Sequence, residues 1–342
     1  MHDLESYRQF PYQLRTAVWE LTLACCFHCA YCGSGAGKPR ENELTTAECL
    51  QIVGQLAAMG LVRISLIGGE VFLRSDWEEI ADALIRRGIT TCIITNGYRM
   101  TPEILRALKR IGIESVAVSV DGPERVHDAF RTKGSYRRAF ETIDALADAG
   151  IPVSVISALR ADNAPLLPEF YETLLRFPIF AWQIQACSPM GCAEKNSVDV
   201  RFDVPAVLAF IRAHRNTQPF YICAADNIGY FNADEQYVRI FPGSTFGGCA
   251  AGRSTVGIDS VGNVRGCESL YDLRFNEGNL RERSLLDIWT APDAFAYNRR
   301  FTPDMLTGKC SGCVHGSVCA GGCRSYNWFT HGKLWESPYC AL

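Results

Sequence analysis

A chain of 342 residues has room for two domains and a sizeable core. Its 48% hydrophobic and 21% charged residues are the balance of a soluble globular protein, and a net charge of −3 without a basic run leaves no footprint for nucleic acid. No apolar stretch approaches the ~18 residues of a membrane span, and the acidic start Met1-His2-Asp3-Leu4-Glu5 is no secretory signal. Sixteen cysteines without export predict a cytoplasmic protein, in which grouped cysteines mean metal or catalysis rather than disulfides.

Residues 1–16 form an N-terminal extension, and residues 17–24 read as a strand feeding Cys25-Cys26-Phe27-His28-Cys29-Ala30-Tyr31-Cys32. Read as Cys-x3-Cys-x2-Cys, this loop offers three close thiolates at Cys25, Cys29 and Cys32, with Cys26 as an extra thiol. A four-cysteine site saturates a [4Fe–4S] cluster, so three thiolates leave one iron free for another ligand. A zinc site lacking its fourth ligand, or a run of buried thiols, is the plainer alternative.

Further strands are predicted at 62–67, 89–95, 115–120, 153–158 and 181–186, and helices at about 45–59, 76–87, 101–111, 135–149, 163–176 and 203–215. Thr101-Pro102-Glu103 is a helix start with a hydroxyl cap, an early proline and an acid in the first turn. Six strands each followed by a helix predict an all-parallel βα sheet over 17–215, with ligands at the C-terminal strand ends.

The chemistry-bearing residues fall at those ends. Gly68-Gly69-Glu70 combines close backbone approach with a carboxylate for an ammonium. Thr95-Asn96-Gly97 ends the third strand. Ser119 and Asp121 share one side of the fourth, and Gln183 and Gln185 lie on the sixth. Tight turns, helix caps, surface charges and satisfied core amides are the bland readings of these residues.

After a bridge at 216–248, the segment 249–342 carries Cys249, a hairpin pattern around 256–264, Cys267, then Cys310-x2-Cys313-x5-Cys319-x3-Cys323, and Cys340. Zinc ribbons also use Cys-x2-Cys pairs, so a zinc knuckle is the alternative to iron–sulfur ligation.

The first triplet, with Tyr31 before its last cysteine, resembles the signature loop of the radical S-adenosylmethionine (SAM) enzymes. The downstream cysteine order resembles the SPASM extension of that family. The resemblance implies a partial (β/α)6 barrel followed by a small cysteine-rich domain with a β-hairpin and short helices. It implies SAM chelated to the open iron and a 5′-deoxyadenosyl radical that abstracts a hydrogen atom. Gly68, Gly69 and Glu70 would bind the SAM amino group, and Arg131 its carboxylate through a guanidinium fork. Tyr31, Asn96, Ser119, Asp121 and Gln185 would complete the cofactor contacts. Val71 stands where the family often has proline.

Two auxiliary [4Fe–4S] clusters are implied as well, one on Cys310, Cys313, Cys319 and Cys340, the other on Cys249, Cys267 and Cys323. A further cysteine often precedes the position of Cys249, where this chain has Pro242-Gly243-Ser244-Thr245-Phe246. The second cluster therefore has an open iron, a remote ligand such as Cys223, or a non-cysteine ligand. Glu268 is the candidate base for oxidation; Cys187, Cys192 and Cys223 are candidate hydrogen donors for epimerisation, and Asp226 and Tyr230 candidate cavity residues. The favoured substrate is a ribosomal precursor peptide, oxidised, crosslinked or epimerised; the alternative is a small molecule such as an aminoglycoside or sugar alcohol. A flavodoxin- or ferredoxin-type donor would supply electrons. Only 24 residues precede Cys25, so a leader would be bound by the barrel or a separate protein.

Overall fold

The computed structural model describes residues 3–215, 219–225, 227–239 and 243–342; Asp226 lies outside the described residues. Ten strands form one sheet: β1 (Thr16–Glu20), β2 (Arg63–Ile67), β3 (Thr90–Thr95), β4 (Ser115–Ser119), β5 (Val153–Leu159), β6 (Ala181–Ala186), β7 (Tyr221–Ala224), β8 (Thr255–Ile258), β9 (Asn263–Arg265) and β10 (Gly278–Asn279). Their order is β10-β9-β8-β1-β2-β3-β4-β5-β6-β7. The strands β1 to β7 run parallel in chain order.

Helices Thr46–Ala58, Trp77–Arg86, Pro102–Ile111, Ser135–Asp148, Leu167–Leu174 and Val204–His214 connect these strands, close to the expected positions. Local chemistry sets their ends. Thr45 and Glu48 close a capping box, and the Thr101 hydroxyl accepts from Ile104 N. Gly112 ends its helix at φ 71°, a left-handed conformation that glycine adopts without a Cβ clash.

The core lies between sheet and helices. Alternate strand residues, among them Trp19, Leu66, Ile93, Val118, Val155, Trp182 and Ile184, point outward and are fully buried under the helices. The opposite face carries Val18, Ser65, Ser119, Gln183 and Gln185, all half-buried. On this inner face Ser119 and Gln185 lie toward the C-terminal strand ends, where the cysteine loop leaves β1.

Two features depart from the sequence reading. Residues 221–224, assigned to a bridge, form β7 and extend the parallel sheet beside β6. The C-terminal hairpin forms as expected from β8 and β9, and it joins the same sheet: β8 pairs parallel with β1, and β10 follows β9 antiparallel. Thr16 and Thr255 hydroxyls meet at 2.7 Å across that seam, Leu44 N donates to Ser260 O at 2.7 Å, and Trp289 Nε1 donates to Tyr12 O at 2.8 Å. Residues on both sides of position 249 therefore share one sheet. Among the described residues, no helix is long and apolar enough to cross a membrane.

Trp182 tests the outer core, since it is fully buried, stacks edge-on against Phe170 and donates from Nε1 to Ser157 Oγ at 2.9 Å. Trp182→Ala is expected to lower the unfolding free energy by about 3–5 kcal/mol, read as a lower urea midpoint; a loss under about 1 kcal/mol would contradict this packing.

Candidate functional site

The cysteine loop leaves β1 and is pinned at both ends. Cys25 N donates to Gly37 O at 2.9 Å and Gly37 N to Leu23 O at 3.0 Å. Ala30 N donates to Phe130 O at 2.8 Å, and Asn196 Nδ2 to Ala30 O at 2.8 Å. Phe27 N lies 3.4 Å from Cys25 Sγ and Ala36 N 3.3 Å from Cys32 Sγ, bonds that favour thiolates. Cys25, Cys29 and Cys32 are all half-buried. Burial pushes the Cys29 thiol up to about 11, so a metal has to displace its proton.

The Gly68-Gly69 turn carries the β1–β2 pairing into this loop. Gly69 N donates to Thr22 O and Glu70 N to Ala24 O, both at 2.8 Å. A Cβ on Gly68 would stand 2.6 Å from Thr22 O, and one on Gly69 would run into the Ala24 carbonyl. Glycine is required here by the approach of the loop's root. Glu70 points inward: its carboxylate accepts from Thr95 Oγ1 at 2.8 and 2.9 Å and from Asn96 N at 2.8 Å. Burial pushes Glu70 up to about 7. Asn96 then reaches the loop, with Nδ2 3.5 Å from Cys26 Sγ and 3.8 Å from Cys25 Sγ.

Beside the loop lies a buried charge cluster. The Asp121 side chain is fully buried and accepts from the Tyr31 hydroxyl, from Arg131 Nε at 2.7 Å and from Ala158 N at 3.1 Å. Burial alone would raise Asp121, but the Arg131 and Arg160 charges outweigh it and hold the carboxyl well below its usual range. Asp121 is thus engaged by protein donors, and Arg131 is paired with it at 11% side-chain exposure. Arg160, which the sequence reading missed, is completely buried 3.8 Å from Asp121 and lies over the rings of Phe130 and Tyr31 at 4.2 and 4.6 Å. Its only signal in sequence is an arginine directly after an apolar strand.

Ser119, Ile156, Gln183 and Cys223 form one cross-strand row on the inner face, with Ala158 and Gln185 in the next. Cys223, expected in a bridge, is buried on β7 in that row. Cys187 packs with Ala158, Ala193 and Tyr31, and burial pushes it up to about 12. Cys192 N donates to Cys32 O at 2.9 Å, bringing the segment after β6 against the cysteine loop.

In the C-terminal region, Cys310, Cys313, Cys319 and Cys340 line one small void together with Tyr230, Phe231, His315 and Ser337. Ser337 N lies 3.4 Å from Cys310 Sγ. Cys249, Cys267 and Cys323 lie within electrostatic reach of one another, and the Cys323 N–H donates to Tyr230 Oη at 3.2 Å, so Tyr230 touches both groups. Among the described residues, no group of three or more Cys, His, Asp or Glu is set to hold a single metal ion. A four-iron cluster takes one thiolate on each of its irons. The all-sulfur donor set fits such clusters.

Glu268 belongs to another group. Arg265 Nη2 donates to its Oε1 at 2.8 Å, while Oε2 is buried with no partner among the described residues. Burial pushes it up to about 8, with Glu20 and Asp259 adding to the rise. Arg40 ties Glu20, Ser260 and Tyr271 into the same wall.

Residues 19–174 match the model of the Radical SAM superfamily, and residues 249–314 the SPASM model, an iron–sulfur cluster-binding domain. The AdoMet-dependent heme synthase of Methanosarcina barkeri is 29% identical over 340 residues, covering 95% of this chain and 96% of that protein. Mycofactocin maturase MftC of Mycolicibacterium smegmatis is 30% identical over 322 residues, covering 92% and 79%. The crystal structure of Streptococcus suis SuiB bound to S-adenosylmethionine has a TM-score of 0.79 at 17% identity, covering 99% of this chain and 80% of that one. SuiB bound to precursor peptide SuiA gives the same TM-score and covers 78% of that chain. The likeness to SuiB is one of fold.

Gly69→Ala is expected to push the cysteine loop off its seat. Anaerobically reconstituted variant should bind about four fewer irons per chain while keeping those of the C-terminal cysteines; unchanged iron content would show that the loop tolerates the methyl group.

Proposed function

Because the chain belongs to the radical SAM superfamily and carries a SPASM iron–sulfur cluster-binding domain, we propose that it is a peptide-modifying enzyme in which a cluster on the N-terminal cysteine loop would supply the electron that cleaves SAM to a 5′-deoxyadenosyl radical. The observation that carries this reading is the cysteine loop, seated at the C-terminal end of β1 against the Gly68-Gly69 turn.

Cys25, Cys29 and Cys32 hold three irons of the SAM-binding cluster. The Gly68-Gly69 turn seats the root of the loop next to where the amino end of SAM would bind, and Glu70 fastens Asn96 and the start of the following turn against it. Ser119 is the residue of the fourth strand left to face ribose hydroxyls, since Asp121 is engaged by Tyr31, Arg131 and Ala158. Asp121 acts instead by orienting Arg131, whose guanidinium faces the SAM carboxylate, and Tyr31. Gln183 and Gln185 line the inner face toward adenine or substrate. Cys310, Cys313, Cys319 and Cys340 hold one auxiliary cluster, and Cys249, Cys267 and Cys323 hold three irons of the other.

The reaction we favour is oxidative: once the radical has taken a hydrogen atom from the substrate, Glu268, with one buried oxygen unpartnered among the described residues, would take the proton that the substrate radical loses, and clusters held by the C-terminal cysteines would supply the acceptor for its electron. Cys223 and Cys187 serve as hydrogen-atom donors if the outcome is epimerisation. Similarity to MftC over nearly the whole chain, and to the fold of SuiB, solved with its precursor peptide, supports a peptide substrate. A flavodoxin- or ferredoxin-type donor supplies the first electron, a separate protein can present the leader, and the reducing cytoplasm suits all three clusters. One observation favours a second reading: the heme synthase match covers 96% of that protein, which supports a small-molecule substrate such as a heme precursor.

Changing Cys25, Cys29 and Cys32 together to Ala is expected to abolish 5′-deoxyadenosine formation from SAM in the reduced enzyme, while continued release would refute the assignment. Incubation with short peptides encoded beside the gene separates the substrates. A peptide losing about two mass units, as oxidation or crosslinking demands, supports maturation; unchanged peptides with a converted heme precursor would favour the small molecule.

A further inference from the structure

The helix Arg324–His331 starts directly after Cys323, and its first side chain is completely buried. Arg324 Nη1 donates to the carbonyls of Ala320, Gly322 at 3.2 Å and Leu334 at 3.1 Å. Its Nε and Nη2 atoms are buried with no hydrogen-bond partner, and no carboxylate pairs with it among the described residues. Nearby, the Tyr297 hydroxyl is also buried: its oxygen lies against the Gly266 backbone N–H, so closely that a Cβ on Gly266 would collide with it, and its own hydrogen has no acceptor among the described residues.

Buried donors without acceptors are rare in folded proteins, and a buried cation without a counter-charge is rarer. Sulfurs stand among the groups around these donors, beside the Phe301 ring 5.6 Å from the Arg324 guanidinium and Glu277 near Tyr297. Arg324 feels Cys249 and Cys323 of one set and Cys319 of the other, and Tyr297 feels Cys249 and Cys267. An iron–sulfur cluster with thiolate ligands offers both negative charge and sulfur acceptors. Hydrogen bonds to those sulfurs and nearby positive charge are among the means by which a protein sets a cluster's reduction potential.

The geometry points to Arg324 as the positioning residue of the auxiliary centre on Cys249, Cys267 and Cys323: its Nε and Nη2 hydrogens donate to the cluster's sulfurs, its charge offsets theirs, and it holds the reduction potential up, with the Tyr297 hydroxyl as a third donor. This rests on the reading that these cysteines carry a cluster. It goes beyond that reading by giving the centre with the incomplete cysteine set a built-in bias toward accepting an electron. Lysine would keep the charge but lose the planar fork; glutamine would lose the charge.

The test uses full-length protein carrying Cys25→Ala, Cys29→Ala and Cys32→Ala, reconstituted with iron and sulfide, so that only auxiliary centres give an electron paramagnetic resonance signal on reductive titration. Arg324→Gln is expected to move one auxiliary centre to a more negative potential at unchanged iron content, with Arg324→Lys restoring part of the shift and Tyr297→Phe giving a smaller one in the same direction. Unchanged potentials in fully loaded Arg324→Gln would overturn the inference. Where that variant loses iron, unchanged potentials in both Arg324→Lys and Tyr297→Phe would overturn it. A parent protein without any auxiliary signal would instead refute the cluster reading beneath it.

Discussion

The structure depends on a short continuation of parallel pairing beyond the ends of β1 and β2. Two backbone bonds, from Gly69 and Glu70 to Thr22 and Ala24, lay the root of the cysteine loop against a turn that has no side chains in the way. Glu70 passes the constraint on to β3 by accepting from Thr95 and Asn96, and Asn96 returns it to the sulfurs of Cys25 and Cys26. Each bond is modest alone, but together they close a circuit in which the loop, the glycine turn and the third strand fix one another. The buried Asp121 cluster performs the same service on the far side, where Tyr31 is held by hydrogen bond and by the guanidinium of Arg160.

The C-terminal region is continuous with the barrel because β8 adds to the free side of β1. The strand that delivers the cysteine loop therefore also anchors the hairpin leading to Cys267 and Glu268. Arg40, just beyond the loop, is bonded to Glu20 on β1 and to Ser260 and Tyr271 of the C-terminal region, so a buried polar wall spans the two halves.

Much of this was legible in sequence where the determinants are local. The alternating apolar runs and the Thr101 cap placed six strands and their helices, because period and capping act within a few residues. The Cys25, Cys29 and Cys32 spacing needed only eight residues of context. What escaped depended on distant partners. Tyr221–Ala224 is too short to announce itself as a strand and is fixed by its pairing with β6. The parallel docking of β8 on β1 joins residues some 240 positions apart, beyond the reach of any periodicity. Asp121 reads in sequence as a free strand-end carboxylate; only the fold reveals Arg160 behind it and the three protein donors in front. Arg324 was invisible for a similar reason, since an arginine after a cysteine reads as surface charge until its burial is known.

The account stands on one proposition, that the N-terminal loop carries a cluster with one iron open to SAM. Its most direct measurement is the electron paramagnetic resonance spectrum of the reduced, reconstituted protein recorded before and after SAM is added. The account predicts that one cluster signal changes shape on addition and that this responsive signal is missing when Cys25, Cys29 and Cys32 are replaced. A spectrum that SAM leaves untouched in fully loaded protein would contradict it.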